Sequence, residues 1–317
     1  MRLLVVTHSS HTHRKSSRQL FAGLTETTDL SVADWDQMAE RSVRAAGEVA
    51  QVDLAHVDAC MIYVRFRYFM LEPFDWSGFD GRRVLYEPDA WFGYSPAHRE
   101  WHGRFAAVYR RDNFDLMIST GKDTTARLVA DGVHAAWMPK AYDSSSFSDL
   151  GGARSDVCTF GSAWPTRRAL IAQLGGLVTD VSAPYTTLNE GLNRYAGALV
   201  CNMPGTTPLG KVGRAIRRWR PGFVRAWPGV EPMIKTFEVA GAGCAPIVDH
   251  IDELADLGFV SGRSCLTYRT LDEAVSTVRR VDPDRLREVG LVAADLARSR
   301  HTWRHRAEQL PQLIEGA

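Results

Sequence analysis

The sequence predicts two α/β domains, each built around a doubly wound parallel sheet. Short apolar runs alternate with helical segments along most of the 317 residues, as in chains of strand–helix–strand units. A stretch rich in Ser, Asp and Gly at 143–153 interrupts the alternation and indicates a linker. We therefore expect one domain at 1–145, a second at 150–300 and a final helix at 301–317.

In the first domain, five apolar runs predict buried parallel strands. These runs are Leu3–Val6, Ala59–Val64, Arg83–Tyr86, Leu116–Ser119 and Ala135–Met138. A helix is expected over Thr124–Asp131, because Gly132 supplies a common end signal. Ligands of open α/β sheets bind beyond the carboxyl ends of the strands, so residues that directly follow strands are the candidates for function.

The second domain repeats the pattern. Its predicted strands are Val157–Phe160, Leu177–Val181, Ala198–Asn202, Ala245–Val248 and Cys265–Tyr268. Helices are expected at Thr166–Leu174, with Thr166 as N-cap, and at Leu271–Arg280, Pro283–Arg298 and Thr302–Ile314.

The composition excludes several classes. A hydrophobic content of 45%, a charged content of 24% and a net charge of +1 are ordinary for a globular protein and give no global reason to expect a polyanion partner. The five widely spaced cysteines contain no CxxC, which predicts reduced, buried thiols in a cytoplasmic protein and argues against structural zinc. The N-terminal apolar run is too short for a signal peptide, and no run reaches membrane-spanning length.

The segment from Lys235 to Val248 is the most informative in the chain. Lys235 and Glu238 are separated by about one helical turn at the start of a short helix of small residues, which is followed by an apolar strand. A cation near a helix N-terminus suits a diphosphate, and a carboxylate in the same turn suits the paired hydroxyls of a ribose. The pattern therefore indicates a nucleotide-sugar clamp; the alternative is an ordinary surface Lys/Glu pair.

Other candidates directly follow predicted strands. His8, His11 and His13 lie in the loop after the first strand without a nearby carboxylate or cysteine, so a substrate-facing His8 or His11, or a solvated loop, is favoured over a metal site. Asp89 follows another strand and is either a proton acceptor for a substrate hydroxyl or a turn cap. Trp91 lies beside it.

Gly161 and Ser162 form a turn after a strand of the second domain. Gly161 allows close approach of a ligand to the backbone, and Arg167 near the next helix start could meet a phosphate. An exposed arginine of no special role is the alternative for Arg167.

Three other short motifs are weaker. The run from Gly205 to Val212 nearly matches a P-loop, which makes a P-loop phosphotransferase a third functional option. However, Val212 replaces the hydroxyl residue that binds magnesium in a P-loop. Asp34-Trp35-Asp36, in a polar connection, and Asp282-Pro283-Asp284, at a helix start, match a DxD pattern that is frequent by chance. Gly241-Ala242-Gly243 lacks the third glycine of a dinucleotide site.

Basic and aromatic residues alternate between 211 and 227, with Arg217 and Arg218 at the centre. Such mixing is typical of contacts to a nucleic-acid backbone or an anionic membrane. An Arg-rich amphipathic insertion is the alternative interpretation.

Several of these segments together resemble the glycosyltransferases related to the spore maturation protein CgeB, within the group 1, GT-B type transferases. Lys235 to Gly243 resembles their R-x-F-E-x-x-A-x-G segment, and Phe160-Gly161-Ser162 with Arg167 resembles their F-x-G-S turn and following arginine. His301 to Arg306 resembles their closing H-T-aromatic-x-x-R. Residues 114–143 resemble the end of a GT-B N-terminal domain.

The resemblance implies a GT-B fold, in which two Rossmann-like domains face each other across a cleft and the final helix crosses back to the first domain. It implies metal-independent sugar transfer from a nucleotide diphosphate sugar, with a UDP-sugar favoured and no cofactor. Expected donor-site residues are Gly161, Ser162, Arg167, Lys235, Phe237 and Glu238, with Glu238 on the ribose and Lys235 and Arg167 on the diphosphate. Expected acceptor-site residues are His11, Trp91, Arg217 and Arg218, with Asp89 or His8 assisting the acceptor hydroxyl.

This chain departs from the family pattern at two positions. Lys235 replaces the usual arginine, and the glutamate expected at position 230 of retaining members is Val230 here, with Glu231 one residue later. The stereochemical outcome is therefore open, as is the acceptor: a small metabolite, a cell-surface polymer, a protein or a modified DNA base. A non-catalytic two-domain nucleotide or sugar binder is the competing functional class.

Overall fold

The computed structural model describes residues 1–7, 18–34, 56–63, 76, 78–95, 98–161, 165–181, 183–201 and 231–317. The chain forms two compact units. The first contains Met1–Tyr94, His98–Pro139 and Trp303–Ala317, and the second contains Ser95–Ala97 and Lys140–Thr302. The main division therefore falls between Pro139 and Lys140, a few residues before the predicted linker.

The first unit contains a six-stranded parallel sheet in the order β2-β1-β3-β4-β5-β6. The strands are β1 (Arg2–Thr7), β2 (Asp29–Asp34), β3 (Ala59–Tyr63), β4 (Arg82–Glu87), β5 (Leu116–Ser119) and β6 (Ala135–Trp137). The helices are α1 (Arg18–Thr27), α2 (Arg104–Arg111) and α3 (Lys122–Ala130), with 3-10 turns at Ala90–Tyr94 and Arg99–Trp101. All five residues of β3 are buried, as expected for a central parallel strand.

The second unit contains a five-stranded parallel sheet in the order β11-β10-β9-β7-β8. Its strands are β7 (Ser155–Thr159), β8 (Val178–Asp180), β9 (Tyr195–Val200), β10 (Ala245–Asp249) and β11 (Leu266–Tyr268). Its helices are α4 (Pro165–Leu174), α5 (Leu188–Leu192), α6 (Ile234–Gly241), α7 (Glu253–Asp256), α8 (Leu271–Arg280) and α9 (Pro283–Arg300). Ile247, Leu199 and Leu286 lie in one apolar core with residues of the flanking helices.

Helix α10 (Trp303–Glu315) belongs to the first unit, where it packs against α1. The contact is close, because a Cβ on Gly23 would lie 2.6 Å from that of Ala307. Arg306 on α10 is buried and donates through Nε to the carbonyl oxygen of Pro139 at 2.7 Å. The final helix thus returns to the first unit, as the resemblance implied.

Two details differ from the sequence-based expectations. Asp34 ends the edge strand β2 and does not lie in a loop; Val32 of this strand is 45% exposed, so the strand lacks the apolar run of a buried one. Helix α4 begins at Pro165, so Thr166 is inside the helix and is not its N-cap. Proline suits the first helical position because it has no backbone N–H, and an N–H at that position has no acceptor within the helix. Within the described residues, no helix combines the length and hydropathy needed to cross a bilayer.

Candidate functional site

The second sheet has a topological switch point between β7 and β9. Strand β8 continues the chain to one side of β7, whereas β9 begins the growth of the sheet on the other side. In open α/β sheets, ligands bind beyond the carboxyl ends of the two strands at such a point. The residues found there are Phe160 and Gly161 after β7 and Cys201 after β9.

The turn at Gly161 leaves room for the side chain of Lys235. Gly161 has a φ of +92°, and a Cβ at this position would collide with Cε and Nζ of Lys235. The Lys235 ammonium also lies 5.8 Å from the centre of the Phe160 ring. A side chain on residue 161 would therefore displace the ammonium group, and glycine also suits the positive φ of this turn.

Arg167 of α4 holds this turn in place. Its guanidinium donates to the carbonyl oxygen of Gly161, to Oδ1 of Asp180 at 2.7 Å and to Oγ1 of Thr159 at 3.3 Å. The Arg167 side chain is only 5% exposed. These contacts give Arg167 a positioning role at the turn, and its fixed positive charge lies close enough to Lys235 to affect the pKa of that group.

Lys235 and Glu238 lie on one face of α6, about one turn apart. Glu238 is 3% exposed and accepts a hydrogen bond at Oε1 from the Tyr185 hydroxyl at 3.0 Å. Burial raises the pKa of Glu238 to about 7, although the Tyr185 hydrogen bond and the Lys235 charge act in the opposite direction. The carboxyl group is thus costly to ionise without a further hydrogen-bond donor.

Burial lowers the pKa of Lys235, and the Arg167 charge lowers it further. Both effects disfavour the ammonium form in the absence of an added negative charge. At the start of α6, the N–H of Thr236 donates to the carbonyl oxygen of the N-cap residue Met233 at 2.9 Å, and Met233 supplies no side-chain cap. An anion bound at this helix start would meet the positive end of the helix dipole and the Lys235 ammonium together.

The raised pKa of Glu238 predicts a specific pH dependence of stability. Between the ordinary value of 4.5 and about 7 the unfolded chain loses this proton while the folded protein keeps it, so the contribution of Glu238 to the free energy of unfolding falls as pH rises through this window. Glu238→Gln removes the ionisation. We expect the melting temperature of the variant relative to the wild type to increase between pH 5 and pH 8; equal differences at both pH values would contradict this.

Phe237 and Glu231, which lie near Lys235 and Glu238 in the sequence, both contact other side chains of the second unit. Phe237 is fully buried and packs against Phe259 and His301, with ring centres 5.8 Å and 5.3 Å away. Its place in the predicted donor site is therefore indirect, as support for α6. Glu231, which precedes α6, is 1% exposed and accepts a hydrogen bond from the Lys140 ammonium.

Asp89 and Trp91 follow β4 in the first unit. The Asp89 backbone N–H donates to Oε1 of the buried Glu87 at 2.8 Å, and its carbonyl accepts from the N–H of Phe92 at 3.0 Å. The Asp89 residue is half-buried. Trp91 is 6% exposed and stacks on Phe92 with ring centres 4.0 Å apart. Trp91 thus has little ring surface to offer to an acceptor, whereas Asp89 remains a candidate base.

Several predicted site residues lie outside the described residues. These are His8, His11, Ser162, Arg217 and Arg218, together with the P-loop-like run Gly205–Val212 and the basic segment 211–227. Their roles stay predictions from the sequence.

The sequence interpretation did not include Tyr185 and Asp180, which contact Glu238 and Arg167. Asp180 is the last residue of β8, and Tyr185 lies in the loop that follows it. The sequence does contain a signal for this loop, because it directly follows the strand predicted at Leu177–Val181 and functional residues are expected after strands.

Comparison with solved structures identifies the architecture. Sucrose-phosphate synthase from Thermosynechococcus elongatus superimposes with a TM-score of 0.65 at 10% identity, covering 100% of this chain and 99% of that one. Anabaena Alr3699/HepE in complex with UDP gives 0.65 at 10% identity over 100% of both chains. The fold is GT-B. T4 phage beta-glucosyltransferase is also similar, with a TM-score of 0.56 at 10% identity over 99% of each chain.

A family model described as glycosyl transferase-like matches residues 207–312, which include α6 and the closing H-T-aromatic-x-x-R segment. A search of curated protein sequences found no match. The family match begins in the second unit, which contains Lys235 and Glu238, and extends into helix α10 of the first unit.

Proposed function

We propose that this protein is a GT-B glycosyltransferase that moves a sugar from a nucleotide diphosphate sugar to an acceptor hydroxyl. The observation that carries the proposal is the placement of Lys235 above the Gly161 turn, one helical turn from the buried Glu238, at the switch point of a parallel sheet. The fold, the family match at 207–312 and the UDP complex of the similar Anabaena protein support it.

Two protein groups of opposite charge would hold two different parts of the donor. The Lys235 ammonium and the start of α6 would bind the diphosphate, since both favour negative charge. Glu238 would accept hydrogen bonds from the ribose hydroxyls, in addition to the one that its buried carboxylate accepts from Tyr185. A fixed cation beside the leaving diphosphate stabilises the charge that develops as the sugar departs, so we propose that transfer proceeds without a metal ion.

The acceptor would be activated by a residue of the first unit. Asp89 is half-buried and follows β4 at the carboxyl end of the sheet, where a carboxylate can accept the proton of a hydroxyl. His8 is the other candidate base from the sequence. An anionic acceptor that binds through residues 211–227 is a further hypothesis, for which steep salt dependence of binding would be the signature.

Nucleotide-sugar turnover tests the proposal. Wild-type protein with EDTA is incubated with UDP-, GDP- or ADP-glucose, and release of the nucleoside diphosphate is measured alongside the thermal shift. We expect binding and slow hydrolysis of at least one donor. Glu238→Gln should weaken donor binding by about tenfold to a hundredfold, because it removes a charged hydrogen-bond acceptor.

The matched control is Glu190→Gln, which alters an exposed glutamate on α5 of the same unit and should leave binding unchanged. A non-catalytic binder would show the thermal shift without release of the diphosphate in the wild type. Absence of any shift with every donor would contradict the proposal, and an absolute requirement for magnesium and ATP would favour a phosphotransferase.

A further inference from the structure

The Glu238 carboxylate has a partner that the clamp described above does not use. The Tyr185 hydroxyl lies 3.0 Å from Glu238 Oε1. Burial and the nearby Glu238 charge raise the pKa of Tyr185, so its hydroxyl stays protonated and acts as the donor in this hydrogen bond. The bond fixes one oxygen of the carboxylate, and with it the plane in which the other oxygen lies.

The Tyr185 ring is itself held in place. It packs edge-on against the buried Phe147, with ring centres 5.2 Å apart and an interplanar angle of 81°. The loop that carries it closes in a turn, in which the N–H of Thr187 donates to the carbonyl oxygen of Pro184 at 2.9 Å. The hydroxyl therefore approaches Glu238 from a supported ring and not from a freely rotating side chain.

We propose that Tyr185 is a positioning residue for Glu238 that makes the donor site selective for ribose over 2′-deoxyribose. This inference rests on the proposed function, because it assigns Glu238 to the ribose. A carboxylate can accept from both the 2′- and 3′-hydroxyls only if its plane faces the pentose. Without the Tyr185 bond the carboxylate can rotate, and the contact with the 2′-hydroxyl loses its geometry.

The charged groups around the pair determine the sign of the pH effect. Lys235 on the same helix favours ionised Glu238. Arg167, Asp180 and Cys201 act on Lys235, and Asp143 acts on Tyr185. The Tyr185 hydrogen bond lowers the pKa of Glu238, so its loss moves that pKa upward. Ribose binding by the carboxylate should then require a higher pH in Tyr185→Phe than in the wild type.

The test compares UDP with 2′-deoxy-UDP by titration calorimetry at pH 6, 7 and 8.5, with GDP and ADP for the case of another base. At pH 7 we expect Tyr185→Phe to bind UDP about 3- to 10-fold more weakly than the wild type, as for loss of one hydrogen bond, and to discriminate less between UDP and 2′-deoxy-UDP. The UDP affinity of the variant should recover toward pH 8.5.

Tyr195→Phe is the matched control, since Tyr195 begins β9 in the same unit and is also half-buried; it should retain wild-type affinity and selectivity. Equal ribose selectivity and an equal pH profile in Tyr185→Phe and the wild type would overturn the inference while leaving the proposed function standing. A wild-type protein that binds none of the nucleoside diphosphates would overturn both. A uniform loss of affinity for UDP and 2′-deoxy-UDP at every pH would mean a structural role for Tyr185 and would also overturn the inference.

Discussion

Replacing Lys235 with alanine is expected to lower kcat for sugar transfer by about 100- to 1000-fold, the range seen when one fixed stabiliser of a developing negative charge is removed. Lys235 is half-buried, and its ammonium lies against the Phe160 ring and the Gly161 turn. In this setting its charge is poorly screened by water, so it acts strongly on the leaving diphosphate. The measurement is the initial rate of nucleoside diphosphate release at saturating donor.

A second substitution separates the loss of charge from the loss of volume. Lys235→Met keeps a long side chain above Gly161 without the ammonium, and we expect the same loss of activity with a normal or raised melting temperature. Lys122→Ala, an exposed lysine at the start of α3, serves as the control and should keep full activity. Wild-type kcat in Lys235→Met would exclude a role for the ammonium in the reaction.

Much of the sheet structure was predictable because buried parallel strands have a simple sequence signature. Strands β1, β3 and β10 are nearly continuous apolar runs, and each is buried along almost its whole length. The edge strand β2 was not expected, because its residues face solvent on much of their surface and need no such run. Helix α1 was also not expected. It packs against α10, which is distant in sequence, so no local pattern indicates this contact.

The shared helix face of Lys235 and Glu238 was predictable from their spacing, but the residues around them were less so. Lys235 and Glu238 share a face because they are separated by about one turn, whereas Phe237 is about 200° around the helix from Lys235. Phe237 was expected in the donor site, and the structure instead packs it against Phe259 and His301 in the core. The contact between Arg167 and Asp180 joins α4 to the end of β8, and no local pattern predicts such a pairing.

The Gly161→Ala substitution is expected to reduce donor turnover by about 100-fold or more, since it displaces the same ammonium that Lys235→Ala removes. The new methyl group would occupy the space of Lys235 Cε and Nζ. It would also place alanine at a φ of +92°, which residues other than glycine rarely adopt. Two effects are therefore combined in this variant, and a control must separate them.

Gly152→Ala provides that control within the same unit. Gly152 has a φ of +94°, nearly the value at Gly161, but apart from its two chain neighbours no atom of the described residues lies within 4 Å of a Cβ built there. Its alanine variant should share the backbone cost of about 1–2 kcal/mol while keeping wild-type kcat and donor affinity. If both alanine variants lose stability to a similar extent and only Gly161→Ala loses turnover, the loss comes from displacement of Lys235. If Gly161→Ala keeps wild-type turnover, the ammonium does not need its place above the turn, and the charge-based account of diphosphate departure fails.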